Sequence, residues 1–81
     1  MMTRVRIIGN STDSRRLYEF VKKVVEDNKL DRIELRWEDV SSSTAEVRYK
    51  VKKMPGLEID GKMISEGKYD YTEREIIRLI R

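Results

Sequence analysis

Two serines three positions apart, Ser11 and Ser14, stand in the stretch "GNSTDS" between an apolar run, "VRII", and a run with helical spacing, "RRLYEFVKKVV". A hydroxyl at such a junction has two uses. It can cap the helix, its oxygen accepting from an unpaired first-turn N–H. It can also be the nucleophile of a covalent mechanism, which needs a base to take its proton. The second use finds no support: His is absent from the chain, and no pattern assigns a lysine or carboxylate to the role. Nor is the stretch a phosphate loop, because it lacks the second Gly and the Lys of that motif. Cys is absent too, which removes disulfides, thiolate nucleophiles and iron–sulfur clusters, and leaves a structural zinc without its usual ligands. No cofactor or metal is expected.

The rest of the composition bounds what these residues can serve. The 81 residues read as one domain, 1–81, of a size at which a single core yields about 3 to 5 kcal/mol. Charged residues make up 41% of the chain, and 18 basic against 15 acidic side chains leave +3 with the signs interspersed. A nucleic-acid surface is therefore permitted but not signalled. No apolar run approaches the roughly 20 residues of a membrane span, and "MMTR" leads directly into a strand pattern with no signal-peptide core. The expectation is a soluble, cytoplasmic monomer that engages no membrane. Abundant Glu, Lys and Arg with few thermolabile residues resembles heat-adapted or redesigned proteins.

The elements that must position the serines follow from periodicity. In "TRVRII", residues 3–8, Val5 and Ile7 fall on one face and Arg4 and Arg6 on the other, a strand with one buried face. From Ser11 or Ser14 to about Asn28, Leu17, Phe20, Val21 and Val24 recur at helical spacing. "DRIELRWED" alternates again, with Ile33, Leu35 and Trp37 together, and a strand–helix–strand unit of this length favours a parallel crossover. Residues 41–54, "SSSTAEVRYKVKKM", carry two patterns. Ala45, Val47, Tyr49 and Val51 alternate as a strand, while Val47, Val51 and Met54 share a helical face that Ser43 or Thr44 would cap; periodicity alone slightly favours the strand. "LEIDGKMIS" is a hairpin about Asp60-Gly61. Thr72-Glu73-Arg74-Glu75 is a capping box ahead of Ile76, Ile77, Leu79 and Ile80.

The segment "YKVKKMPGLEIDGKMISEG", Tyr49 to Gly67, together with the first strand-to-helix turn, resembles small archaeal and bacterial thioredoxin-like or glutaredoxin-like disulfide oxidoreductases. The resemblance implies a helix over the ambiguous stretch and a thioredoxin-like α/β fold, βαβαββα, with a mixed four-stranded sheet flanked by three helices. A strand over residues 44–53 would instead give a ferredoxin-like two-layer sheet. It also implies a cis Met54-Pro55 bond beside the redox site. The family places Cys-x-x-Cys at the start of the first helix, where the helix dipole and free amides favour a thiolate. Counted back from Leu17, those two positions are Ser11 and Ser14, with Asp13 between them. Serine keeps the approximate size and removes the thiol exchange.

By the same resemblance Met54 and Pro55 form the loop that faces a bound extended peptide or partner protein, although Met54 is equally placed to be a core side chain. Trp37 reads as core from its alternation. Arg15, Arg16, Lys52 and Lys53 read either as a basic rim around the site or as solvated surface. Two functions follow: a disulfide oxidoreductase relative made redox-inactive at Ser11 and Ser14, or a non-redox peptide-binding module that uses the groove beside Pro55. A ferredoxin-like domain binding RNA is a weaker third, since the strands lack interleaved aromatics.

Overall fold

The computed structural model describes residues 2–81. Its elements run β1 (Thr3–Ile8), α1 (Thr12–Asp27), β2 (Ile33–Glu38), α2 (Ser42–Tyr49), β3 (Gly56–Ile59), β4 (Lys62–Glu66) and α3 (Glu73–Ile80). The four strands lie in the order β2-β1-β3-β4. β1 and β2 are parallel, with Val5 beside Leu35 and Ile7 beside Trp37. β3 is antiparallel to both β1 and β4.

Burial divides between the two faces of the sheet. On one, Val5 and Ile7 of β1 and Leu57 and Ile59 of β3 pack against Leu17, Val21 and Val24 of α1 and Ile76 and Ile80 of α3. On the other, a smaller cluster joins Ile8, Ala45 and Val51. β1 is thus not a strand with one buried face throughout. Its first half presents Arg4 and Arg6 outward, but Ile8 at its end is fully buried beneath α2.

Each helix is set by its start. Ser11 caps α1, accepting from the Ser14 N–H. Ser41 caps α2, two residues before the nearer of the caps expected from sequence. α2 is short because Lys50 adopts φ 61° and returns its N–H to Glu46, ending the helix before Val51. Val47, shared by both sequence patterns, is 84% exposed, and the helix turns only Ala45 fully inward. A strand alternation and a helical stripe ending at Met54 both fail there: a small inward residue and a good cap form the helix, and Val51 reaches the core from the loop that follows.

The β3–β4 hairpin turns at Asp60 and Gly61, both with positive φ (52° and 83°), the backbone that two-residue hairpins use. In β4 the register slips between Leu57 and Glu58, whose partners are Ser65 and Met63, leaving Ile64 as the bulged residue. At α3 the capping box is complete: Thr72 N–H donates to Glu75 Oε1 at 2.8 Å and Glu75 N–H to Thr72 Oγ1 at 3.2 Å. The Thr72 N–H, then its hydroxyl, with Lys68 nearby, hold the Glu75 carboxyl below its ordinary range. A carboxyl lowered on folding stabilises above its unfolded pKa and loses that contribution as pH falls through its folded pKa, so this helix start loosens on acidification. Of the four apolar residues of α3, Ile76 and Ile80 are buried while Ile77 and Leu79 are half-buried, as suits a helix lying on one side of a sheet.

Candidate functional site

β1 ends at Ile8, and the three residues before α1 form a tight connection held from both sides. Gly9 N–H donates to the Glu38 carbonyl at 2.9 Å. The Trp37 indole N–H donates to the Gly9 carbonyl at 2.8 Å. Trp37 is half-buried and stacks on Tyr18 of α1, with ring centroids 5.6 Å apart. It packs against the main core, as its alternation suggests, and at the same time braces the edge strand against the loop.

At the helix start the two serines bond to each other. Ser11 Oγ and Ser14 Oγ are 2.8 Å apart, and Ser11 Oγ accepts from the Ser14 N–H at 3.1 Å. Their exposures differ sharply. Ser11 is half-buried, whereas Ser14 is 0% exposed and is the only buried polar side chain among the described residues. A buried hydroxyl costs about 1–3 kcal/mol when left without a partner, and here Ser11 supplies the partner. Helical spacing explains the arrangement: Ser14 stands at the head of the buried stripe that continues through Leu17, Val21 and Val24, while Ser11, at the cap, lies off that stripe.

The loop before β3 closes over the same point. Gly9 has φ +132°, and a Cβ built on it would lie 2.6 Å from Ser14 Oγ, 2.8 Å from Met54 Cγ and 2.9 Å from Met54 Sδ. One glycine therefore lets the helix start and the Met54 loop meet. The Met54-Pro55 peptide is cis; Pro55 is buried and Met54 half-buried. The loop is pinned toward β4, where Gly67 N–H donates to the Pro55 carbonyl at 2.8 Å and Lys52 N–H to Glu66 Oε1 at 2.6 Å. Among the described residues, neither the N–H nor the carbonyl of Met54 forms a hydrogen bond within the chain.

The four residues singled out from sequence, Ser11, Ser14, Met54 and Pro55, thus fall in one place at the C-terminal end of β1. Trp37, read from sequence as core, and Gly9, to which the sequence reading gives no role, complete the arrangement; a glycine directly after a buried strand is a visible signal of close backbone approach. A concavity of about 820 Å³ lies elsewhere, around Arg4, Arg6, Glu34, Arg36, Glu58 and Asp60 toward the hairpin end of the sheet. Its arginines are paired with carboxylates: Arg4 with Glu34 at 3.4 Å, Arg6 with Glu58 at 3.5 Å and Arg36 with Glu38 at 4.0 Å. The serines, the Gly9 turn and the Met54 loop make the candidate site: there a buried hydroxyl meets a half-buried one, whereas the arginines of the other face are already paired with carboxylates. Among the described residues no cluster of three or more His, Cys, Asp or Glu is placed to hold a metal ion, and no helix is long and apolar enough to cross a membrane.

A mixed four-stranded sheet with α1 and α3 on one face and α2 on the other, and a capped helix start opposite an X-Pro loop, defines a thioredoxin-like fold. Residues 3–81 match the family model described as a thioredoxin domain. The chain belongs to that family. Searches of curated proteins and of solved structures return no match.

Proposed function

We propose that this chain is a relative of the protein disulfide oxidoreductases whose dithiol positions are Ser11 and Ser14, so that it keeps the architecture of the redox site without its reaction. The observation that carries the reading is the pair itself: two hydroxyl oxygens 2.8 Å apart, one half-exposed and one fully buried, at a helix N-terminus. Disulfide exchange needs an accessible attacking sulfur and a second sulfur within bonding reach. The more exposed Ser11 and the buried Ser14 support this reading, as an attacking and a resolving sulfur would be ordered in that way. A serine hydroxyl does not ionise usefully near neutrality and forms no disulfide, so neither step can run.

What survives is a surface for an extended chain. The free N–H and carbonyl of Met54 offer one donor and one acceptor to a segment lying alongside, as in other cases of strand-like peptide capture. That observation favours a non-redox binding module as the second reading.

The test is a protein-disulfide reduction assay driven by a thiol reductant. The chain as it stands should give no acceleration over the reductant alone, and the variant carrying Ser11→Cys with Ser14→Cys should give clear turnover. Turnover by the parent chain, or none by a folded double variant, would count against the reading.

A further inference from the structure

The distribution of unpaired charge around this site names the kind of partner it takes. Resting on the groove reading above, we infer that the Pro55 groove binds an extended peptide segment rich in carboxylates.

The two segments that meet at Gly9, the α1 start Ser11–Arg16 and the stretch Lys50–Gly56, contain Arg15, Arg16, Lys50, Lys52 and Lys53 against the single carboxylate of Asp13. They carry a net +4 in a chain whose total is +3, so the remaining residues together sum to −1. All five cations are exposed. Among the described residues, ion pairs take up Arg4, Arg6, Arg36 and Lys68, and none of these five. The open face at the hairpin end has its arginines neutralised; the rim of the site does not.

Position makes this more than scattered surface charge. Lys52 and Lys53 immediately precede Met54, whose main-chain donor and acceptor are free, and Arg15 and Arg16 follow the buried Ser14. The Lys53 stem lies over Gly67, where a Cβ would fall 2.8 Å from Lys53 Cδ. Two carboxylates oppose the pattern. Glu66 is engaged by the Lys52 N–H, and Asp13 lies in the first turn of α1, which places the preference on the Lys52–Lys53 side. A segment that pairs with Met54 extends past these cations, and carboxylates along it would meet them in solvent-exposed pairs. Each such pair contributes up to about fivefold in affinity, and two or three together on the order of tenfold. The main-chain pairing favours a peptide over a nucleic acid, which would need phosphate contacts and stacking platforms.

The experiment titrates the intact chain with short capped peptides of alternating Glu and Val, and with their Gln and Lys counterparts, following amide NMR shifts. The Glu peptide should move the amides of Met54, Gly56 and Ser11–Asp13, bind about tenfold more tightly than the Gln peptide, and weaken as salt rises from about 20 to 150 mM. Lys52→Glu with Lys53→Glu should reverse the order so that the Lys peptide binds best. Equal binding of Glu and Gln peptides at those amides overturns the charge preference and leaves the groove intact. No shift there with any peptide overturns both, while the disulfide-exchange test judges the oxidoreductase kinship separately. Tighter binding of a short oligothymidylate at the same amides would also overturn the proposal.

Discussion

Replacing Gly9 with alanine is expected to cost about 3 kcal/mol or more of stability, the largest loss anticipated from any single methyl group in this chain. Two effects add. At φ +132° an L side chain is strained, at roughly 1–3 kcal/mol, and the new Cβ falls 2.6 Å from the Oγ of a fully buried Ser14, an overpacking cost of about 1–3 kcal/mol. The Met54 side chain can swing away from its 2.8 and 2.9 Å contacts. Ser14 cannot, because it is fixed in the helix and bonded to Ser11. Since a domain of this size holds only about 3 to 5 kcal/mol in total, Gly9→Ala should leave the protein near its unfolding midpoint without denaturant. Chemical denaturation followed by circular dichroism measures this. The control is Gly61→Ala, also at positive φ (+83°) but with nothing within 4 Å of the added Cβ, which should cost only about 1 kcal/mol. Equal losses would show that Gly9 is a backbone requirement alone and not the contact point of the two loops.

The second large effect is chemical. With a single cysteine at each position in turn, Ser11→Cys should be alkylated by iodoacetamide on the order of a hundredfold faster than Ser14→Cys. Position 11 is half-exposed at the helix cap, while position 14 is 0% exposed at the head of the core stripe. A buried thiol reacts only through local opening of the surrounding structure. Asp13 in the first turn tempers the contrast, because its charge disfavours a thiolate at the cap, and Asp13→Asn should widen it. Similar rates at the two positions, measured by mass spectrometry in the folded state, would contradict the inside–outside arrangement.

How much of this was legible before the fold was known varies by element. β1, α1, the Asp60-Gly61 turn and the Thr72–Glu75 capping box follow local rules, and the structure has them where the sequence put them. α2 did not follow from local pattern: Val47 lies on both candidate apolar stripes and is exposed in the folded chain. Only the likeness of Tyr49–Gly67 to a known arrangement chose a helix there, and its cap, Ser41, was one of three consecutive serines that sequence alone could not separate. Trp37 alternates as a core residue would, but β2 is an edge strand, and its indole N–H needs a partner that only the folded Gly9 loop provides. Gly9 itself stood in the quoted stretch. Its role depends on Met54, 45 positions away by number, and no local rule spans that separation.

The 2.8 Å between the hydroxyls of positions 11 and 14 is what a dithiol there would have to exploit. The measurement is the redox state of the Ser11→Cys with Ser14→Cys variant at equilibrium with a glutathione couple, read as free thiols per chain and as intact mass after alkylation. The prediction is a single intramolecular disulfide in a monomeric, natively folded chain, with a midpoint between about −120 and −270 mV. Two persistently free thiols under oxidising conditions, or disulfides formed only between chains, would contradict it.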